Sequence, residues 1–361
     1  MVKLGDVINV HYGKALKADQ RVSNGSVHVF GSSGIVGNHD KTLCSYPTII
    51  IGRKGSVGAI TWAPDGGWII DTAYYVEIKD NNKLDLRYLF YILSGIDLTK
   101  KTITTSIPGL NRDDLYDTFI KLPPFEEQKR IVDLLDKAEG IRQKREQAIK
   151  LADDFLRAKF LEMFGTPANN IHRFPKGTIR DLVDSVNYGT SAKASIDSGE
   201  YPILRMGNIT YQGRWDFTDL KYLDLSVKEK DKYLVKEGDL LFNRTNSKEL
   251  VGKTAVYEED RPMAFAGYLI RVRPNSIGNN YYISGYLNSI HGKITLMNMC
   301  KSIVGMANIN AQELQNIEIL IPPKHLQDEY EIIYKKIKKG LSIYDKSAMQ
   351  LQLLASNLSN K

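Results

Sequence analysis

Two matching stretches decide the organisation of this chain: Leu122-Pro123-Pro124-Phe125-Glu126-Glu127-Gln128 near its middle and Ile321-Pro322-Pro323-Lys324-His325-Leu326-Gln327 near its end. Each places a proline pair, which interrupts the preceding structure, in front of a long run with helical periodicity. The two proline pairs stand 199 residues apart. Self-similarity at a fixed distance indicates an internal duplication, and it governs the interpretation of every other feature.

The similarity continues upstream of both stretches. Asn111 matches Asn310 at the same distance of 199 residues, and both precede a short run that reads as a helix capped by the asparagine. Near the start of each copy, Val10-His11-Tyr12-Gly13-Lys14 matches Val186-Asn187-Tyr188-Gly189-Thr190 at a distance of 176 residues. Because the two distances differ, the copies share a framework but carry inserts of different length.

Two inner strands can also be aligned between the copies. The segment that ends at Arg53 is laid against the segment that ends at Arg244, and Ala73-Tyr74-Tyr75-Val76 is laid against Gly267-Tyr268-Leu269-Ile270. Similar frameworks with divergent inserts are what we expect of two binding modules that are built on one scaffold and directed at different targets.

Length and charge limit the possible functions. The 361 residues, 42% of them hydrophobic, are enough for about two domains of roughly 100 to 200 residues each. The net charge is +7 and the pI is near 9.0, which favours a polyanionic partner such as nucleic acid. No run approaches the roughly 20 apolar residues of a membrane span, and the start does not read as a signal peptide, so we expect a cytoplasmic protein without membrane contact.

Cysteine and histidine usage argues against disulfides and metal sites. Cys44 and Cys300, one in each copy, form neither a disulfide framework nor a zinc-ligand spacing, and buried reduced thiols are expected. The six histidines are isolated, without the spacing of a metal site. We therefore expect no metal.

The pattern before each proline pair is that of an α+β domain. Short apolar runs separated by glycine-rich turns read as strands, and Leu84 to Leu93 reads as a helix because its leucines fall on one face. The second copy repeats this order, with Tyr282 to Leu287 in the helical place. The predicted strands of the first copy include Val27–Phe30, Thr48–Ile51, Ala59–Trp62 and Tyr74–Ile78.

The run after each proline pair predicts a long helix. From Phe125 to Phe164, about 60 Å at 1.5 Å per residue, apolar residues recur at spacings of three and four as in a coiled-coil seam that includes Phe155. The second run carries the seam Tyr330, Tyr334, Ile337, Leu341, Tyr344, Ala348, Leu351, Ala355 and Leu358. We expect the two helices to pair antiparallel, as a pseudo-twofold repeat; the alternative is two unrelated amphipathic helices on separate cores.

These features together resemble the specificity (S) subunit of type I restriction-modification enzymes over essentially the whole chain. The resemblance is carried by the L-P-P-x-x-E-Q helix opening at Leu122 and its Phe-Gly close at Gly165, by the weaker copy from Ile321, and by the loops at Gly52–Gly58 and Arg244–Asn246. The second copy departs from the pattern, because it has Leu326 where the first has Glu127.

The resemblance implies a division into four parts: a first target-recognition domain at 1–124, a central conserved spacer helix at 125–164, a second target-recognition domain at 165–323 and a distal conserved helix at 324–361. It implies a DNA sequence-specificity subunit that binds a bipartite double-stranded DNA target. The helices would space the domains and dock two methyltransferase (M) subunits, and restriction (R) subunits would join in the full complex. The chain itself would bind no cofactor, and S-adenosylmethionine would bind to the M subunits.

Three catalytic patterns are incomplete in this chain. Pro64-Asp65 with Glu77-Ile78-Lys79 has the loose spacing of a nuclease, but Asp65 lies in a Pro-Asp-Gly-Gly turn. Gly252-Lys253-Thr254 lacks the first glycine of a P-loop and precedes a predicted strand rather than a helix. Leu122 replaces the asparagine of the N-P-P-[YF] loop of adenine methyltransferases. Catalysis is therefore expected in a partner; a DNA-binding nuclease and a protein-protein scaffold without DNA contact are the alternatives.

Candidate DNA contacts combine glycine-rich loops with hydrogen-bond donors. Arginine can pair with guanine and asparagine with adenine, and both can also serve phosphate or merely stabilise a solvated turn. Arg205 and Asn208 are equally compatible with a capped loop. The candidate set is Lys14, Arg53, Lys54, Ser56, Tyr188, Arg205, Asn208, Asn243, Arg244, Asn246 and Lys253.

Overall fold

The computed structural model describes residues 1–101, 109–300 and 305–341. The chain divides within its long central helix into two compact units, one built on Met1–Lys144 and the other beginning at Arg145. Each unit combines small sheets, mostly antiparallel but with one parallel strand pair, with short helices. The predicted α+β class is therefore confirmed.

The first unit is organised around a four-stranded sheet. Its strands are β1 (Val2–Lys3), β2 (Ile8–Tyr12), β3 (Val27–Gly31), β4 (Gly34–His39), β5 (Thr48–Gly52), β6 (Ile60–Ala63), β7 (Trp68–Ile69), β8 (Ala73–Ile78) and β9 (Phe119–Ile120). The main sheet has the order β2-β8-β5-β6, a second sheet has the order β4-β3-β7, and β1 pairs with β9. Its helices are α1 (Leu4–Val7), α2 (Leu86–Ser94) and α3 (Arg112–Tyr116).

The second unit repeats this topology. Its strands are β10 (Lys176–Thr178), β11 (Val183–Tyr188), β12 (Tyr201–Leu204), β13 (Lys221–Leu223), β14 (Leu240–Asn243), β15 (Thr245–Ser247), β16 (Thr254–Val256), β17 (Ala264–Phe265), β18 (Leu269–Pro274), β19 (Met306–Asn308) and β20 (Glu318–Leu320). The orders β11-β18-β14-β16, β13-β12-β17 and β10-β20 reproduce the three sheets of the first unit, and β15-β19 is added. The duplication inferred from the sequence is thus a duplication of fold.

One alignment between the copies was wrong by two residues. In the first unit Gly52 pairs with Ala73, and at the same place in the second unit Asn243 pairs with Leu269. The counterpart of Ala73–Val76 is therefore 269–272, not 267–270. The turns before the two strands, Asp71-Thr72 and Gly267-Tyr268, differ in sequence, so the sequence alone does not fix the register, whereas the strand pairing does.

The helices of the second unit follow the same plan as those of the first. They are α5 (Val227–Tyr233), α6 (Asn280–Asn288), α7 (Ile290–Met299) and α8 (Ala311–Gln315). Asp85 caps α2, which begins two residues later than predicted. Asn279 caps α6, which begins two residues earlier than predicted. Asn111 accepts a hydrogen bond from the backbone of α3, and Asn310 accepts two from α8, so the predicted asparagine caps are confirmed.

The two long helices are α4 (Phe125–Phe164), called the central helix below, and α9 (residues 324–341), called the distal helix. In the second unit Tyr330 contacts Phe160 and Phe164 at ring-centroid distances of 5.4 and 5.9 Å. Further along the distal helix, Leu341 lines a cavity of about 50 Å³ together with Asp153. From Tyr330 to Leu341 the residue numbers of the distal helix rise, while those of the neighbouring residues in the central helix fall from Phe160 to Asp153. The described parts of the two helices therefore pair antiparallel, as predicted.

The seam of the central helix differs from the predicted one. Phe155, assigned to the seam, is 49% exposed, whereas Leu156, Phe160 and Phe164 are buried at a spacing of four. The bulky aromatic residues face the domain core and thereby set the rotation of the helix. The seam positions Tyr344, Ala348, Leu351, Ala355 and Leu358 lie outside the described residues.

Each unit has its own apolar core. Ile49, Ile51, Val76 and Leu89 lie at the centre of the first, and the second is larger because aromatic residues of both long helices join it. Cys44 and Cys300 are free and buried, as expected. Within the described ranges, no helix is long and apolar enough to cross a membrane.

The buried side chain of Gln128 explains why glutamine ends the repeated proline-pair motif. Gln128 donates through Nε2 to the carbonyl oxygens of Lys83 (2.8 Å) and Pro123 (2.9 Å), and its Oε1 accepts from the backbone N–H of Asp85 (2.9 Å). Its side chain is fully buried. The glutamine therefore joins the first turn of the central helix to the segment that enters α2.

The second copy repeats the two bonds in which the glutamine donates, whereas the buried Oε1 of Gln327 has no hydrogen-bond partner within the described residues. Gln327 is also fully buried, and its Nε2 donates to the carbonyl oxygens of Ile277 (3.0 Å) and Pro322 (2.8 Å). A carboxamide is needed because the buried carbonyls otherwise lose their hydrogen bonds to water. This requirement accounts for glutamine at the same place in both copies.

We expect Gln128→Leu to lower the free energy of unfolding by about 2 to 3 kcal/mol, because three backbone groups lose a buried partner. Gln143→Ala, an exposed glutamine on the same helix, should change it by at most about 0.5 kcal/mol. Chemical denaturation of the two variants and the parent measures the difference. Equal values for the two substitutions would contradict the anchoring role of Gln128.

Candidate nucleic-acid interface

A tyrosine and an arginine meet at one end of the main sheet of the first unit. Tyr12 ends β2, and Arg53 follows β5 directly. The Arg53 guanidinium carbon lies 5.1 Å from the centroid of the Tyr12 ring and 5.7 Å from that of Tyr74. Its Nη1 donates to the carbonyl oxygen of Asp71 at 3.3 Å. We call Tyr12 and Arg53 the first Tyr–Arg pair.

The same arrangement occurs in the second unit. Tyr188 ends β11 and Arg244 follows β14, and the guanidinium carbon lies 4.7 Å from the ring centroid. Nη1 of Arg244 donates to the carbonyl oxygen of Gly267 at 3.4 Å. This second Tyr–Arg pair occupies the position equivalent to the first. The tyrosines remain 47% and 41% exposed, so both pairs face solvent.

Glycine after each tyrosine allows the chain to pass close to its neighbour. A Cβ atom on Gly13 would lie 2.1 Å from the carbonyl oxygen of Ile70, and one on Gly189 would lie 2.3 Å from that of Ala266. No larger residue fits without displacement of backbone. The close approach explains the repeated Tyr-Gly dipeptide.

The remaining candidates of the first unit surround its Tyr–Arg pair on the surface. Lys14, Lys54 and Ser56 are exposed, and the loop that carries the last two depends on Gly55 and Gly58, whose φ angles are +78° and +76°. Lys54 forms an isolated bridge with Gly109. The glycine-dependent geometry predicted for this loop is therefore present.

Arg112 belongs to this group but was not among the sequence-based candidates. Its guanidinium carbon lies 5.3 Å from the Tyr12 ring centroid, and its Nε is buried without a hydrogen-bond partner. In the described part of the chain, Arg112 forms no ion pair. Its position in the sequence could have indicated this, because Arg112 directly follows the capping Asn111. The same segment contains Gly109, which pairs with Lys54.

Three of the predicted contacts are buried and belong to the framework of the second unit. Asn208 is 3% exposed and donates to the carbonyl oxygens of Asp216 and Asp219. Asn243 is fully buried and donates to the carbonyl oxygen of Leu250. Lys253, 7% exposed, donates to the carbonyl oxygen of Met206 at 2.9 Å. Burial and these internal bonds favour a structural role for the three side chains, and their role as DNA contacts stays a prediction.

Two further candidates are partly occupied. Arg205 donates to the carboxylate of Asp219 at 2.8 Å, which agrees with the capped-loop alternative. Asn246 lies in β15, half-buried, and its Oδ1 accepts from the backbone N–H of Ser247 at 2.9 Å. The side-chain amide of Asn246 can still donate, whereas the charge of Arg205 is neutralised.

Comparison with known proteins identifies the family of this chain. The sequence profile of the family described as type I restriction modification DNA specificity domain matches residues 1–151 and 174–355. The chain therefore belongs to this family. The two matched segments correspond to the two copies of the duplicated fold.

Individual relatives carry consistent names. The chain is 24% identical over 256 residues to the type I restriction enzyme EcoKI specificity subunit of Escherichia coli K12, a match that covers 67% of this chain and 54% of that relative. It is 32% identical over 171 residues to a candidate MjaX specificity subunit of Methanocaldococcus jannaschii, covering 46% and 38%. The matches thus span less than two thirds of either relative.

A solved structure shares the fold along the whole chain. The S subunit of a type I restriction-modification system from M. genitalium superimposes with a TM-score of 0.69 at 15% identity, covering 99% of this chain and 94% of that one. At this identity the likeness concerns the fold alone.

Lys293, in α7 of the second unit, is half-buried, and its ammonium nitrogen is enclosed. Nζ of Lys293 is buried without a hydrogen-bond partner and lies 4.9 Å from the ring centroid of Tyr211. Burial, and after it the positive charges of Arg157 and Lys253, lowers the pKa of Lys293 to about 8. Burial also lowers the pKa of Lys253. Protonation of Lys293 is thus less favourable in the folded unit than in the unfolded chain.

We expect Lys293→Met to stabilise the second unit most at neutral pH. Between pH 8, the approximate pKa of Lys293 in the folded unit, and pH 10.5, its ordinary pKa, the unfolded chain binds more protons than the folded one. The free energy of unfolding of the parent therefore rises with pH in this range, and the stability advantage of the variant shrinks. Thermal melting of both proteins across this range measures the change. The exposed Lys228→Met should show no such trend; an advantage for Lys293→Met that does not vary with pH would contradict the expectation.

Proposed function

We propose that this chain is a DNA sequence-specificity subunit of a type I restriction-modification enzyme and that each unit recognises one block of a bipartite duplex target. The observation that carries the proposal is the Tyr–Arg pair that recurs at equivalent positions of both units. We expect two related DNA-binding domains to share their strands, their glycines and one guanidinium that faces solvent. The two units of this chain share all three. The family match and the net charge of +7 support the same conclusion.

The chemistry of the pairs suits DNA. In each, the tyrosine ring supports the guanidinium by a cation–π contact, and a backbone carbonyl fixes one nitrogen. Neither Arg53 nor Arg244 forms an ion pair within the described residues, so both keep donors for a guanine edge or a phosphate. A protein-protein scaffold without DNA contact gives no reason to leave these two charges unpaired at equivalent places.

The long helices provide the second half of the proposal. The central helix has 40 residues, about 60 Å, which exceeds the roughly 34 to 36 Å of one duplex turn. We assign to the central and distal helices the roles of spacer and of docking site for two M subunits, with R subunits added in the full complex. S-adenosylmethionine would be held by the M subunits, because methyl transfer is assigned to them.

The nuclease alternative is not favoured by the positions of its residues. Asp65 is exposed in a turn at Gly66, which has a φ of +68°. Glu77 accepts from His11 at 2.9 Å, and Nζ of Lys79 donates to the carbonyl oxygen of Gly5 at 2.6 Å. These side chains are engaged with different neighbours and do not converge on one site. We therefore propose that the chain is not itself catalytic.

The purified chain alone should neither methylate nor cut DNA. Adenine methylation should appear when the M subunit of the same system and S-adenosylmethionine are added, and methylome sequencing of cells that carry the system should reveal two short specific blocks around an unread gap. Radiolabelled methyl transfer with and without the M subunit measures the first point. Methyl transfer by the chain alone, or a continuous target, would refute the proposed function.

Arg53→Ala and Arg244→Ala should each affect a different block of the target. If each guanidinium pairs with a base edge, the loss is about 1 to 3 kcal/mol for one block, while the other block keeps its preference. Binding of the complex to duplexes with single changes in either block measures this selectivity. Equal loss on all sequences, with a shallower salt dependence, would identify the arginines as phosphate contacts instead.

A further inference from the structure

The duplicated fold allows a position-by-position comparison of charge at the two DNA-facing ends. Backbone hydrogen bonds establish the equivalences: Lys14 N donates to Ile69 O as Thr190 N does to Phe265 O, and Leu110 N donates to Arg53 O as Ile309 N does to Arg244 O. Four equivalent positions then follow. They are Lys14 and Thr190, Arg53 and Arg244, Lys54 and Thr245, and Arg112 and Ala311.

The first unit has a basic residue at all four positions, and the second unit has one only at Arg244. The longer loop of the second unit adds Lys248, but Glu249 follows it directly; a backbone hydrogen bond, then a hydrogen bond with Ser247 and the charge of Lys248 lower the pKa of that carboxyl. The first unit carries Asp71 and Asp113 nearby in sequence, yet within the described residues none of its four cations lies in an ion pair. At these four positions, the cations without an ion pair are therefore concentrated in the first unit.

Arg112 and Ala311 differ in more than charge. In the second unit the backbone N–H of Ala311 donates to the hydroxyl of Tyr188 at 2.8 Å, which uses the polar end of that tyrosine within the unit. In the first unit the side chain at this position is a guanidinium 5.3 Å from the Tyr12 ring centroid and 5.9 Å from that of Tyr116. Aromatic rings hold the Arg112 guanidinium, and no described carboxylate neutralises it.

We infer that Arg112 is a phosphate contact of the first unit, and that the first unit supplies more of the salt-dependent affinity for DNA than the second. A single base edge is satisfied by one bidentate arginine, which Arg53 can provide, so the surrounding Lys14, Lys54 and Arg112 suit the phosphates beside it. In the second unit Arg244 is the single cation at these four positions, and Thr190, Thr245 and Asn246 around it can add only uncharged hydrogen bonds. This inference rests on the proposed function, because it requires that both ends face DNA.

The test is the salt dependence of DNA binding by the full chain in complex with the M subunit. The probe is a duplex that contains both target blocks, and a second duplex has the first block scrambled. Arg112→Ala should reduce the slope of log K against log salt by about 0.9, the value for one lost phosphate contact, and should weaken binding to both duplexes by the same factor. Arg112→Lys should keep the slope, because the charge remains.

The control is Lys83→Ala, which removes the same charge from the same unit beside the start of the central helix and should leave the slope unchanged. Thermal melting of each variant shows whether it is folded, and Arg112→Lys keeps the test valid if Arg112→Ala is not. An unchanged slope for Arg112→Ala, or a loss limited to the intact first block, would overturn the inference. If the unmutated complex shows no preference for the two-block duplex, the proposed function fails instead, independently of Arg112.

Discussion

The buried glutamine carboxamide at the start of each long helix is the contact on which the rest of this structure depends. Gln128 and Gln327 satisfy backbone groups that no water reaches, and a proline pair precedes each of them. The prolines end the domain and the glutamine fixes the direction in which the helix leaves it. An apolar residue would leave the same carbonyls unpaired, so this polar side chain is more tightly constrained than most of the core around it.

Beyond this contact, the two units share their strand order and turn glycines. They differ in the loops between those shared positions. The two main sheets have the same strand order, and Gly58 and Gly252 close equivalent turns with φ angles of +76° and +78°. Between Asn243 and Gly252 the second unit nevertheless accommodates a longer loop than the first unit has after Gly52. Backbone bonds at the ends of the loop hold the frame, and the residues between them are free to change.

The sequence was sufficient for the fold and only partly sufficient for the site. The bounds of the central helix followed from its periodicity, from Pro123-Pro124 before it and from Gly165 directly after it, since such signals act locally. The rotation of that helix did not follow, because Leu156 and Phe155 are both apolar neighbours and only the domain core decides between them. The burial of Asn243 and Lys253 did not follow from the sequence for a related reason. Their residue types suit DNA, but burial is a property of the folded unit that a single sequence does not reveal.

The same comparison shows how to separate framework from function in a duplicated protein. Asn208, Asn243 and Lys253 are buried, and the hydrogen bonds that their side chains donate go to backbone carbonyls inside the unit. Arg53, Arg112 and Arg244 have the opposite character, because each is held by an aromatic ring while its charge is left without a carboxylate. A solvent-facing cation that is oriented but not neutralised contributes little to folding. Its position is therefore better explained by an anionic partner than by stability.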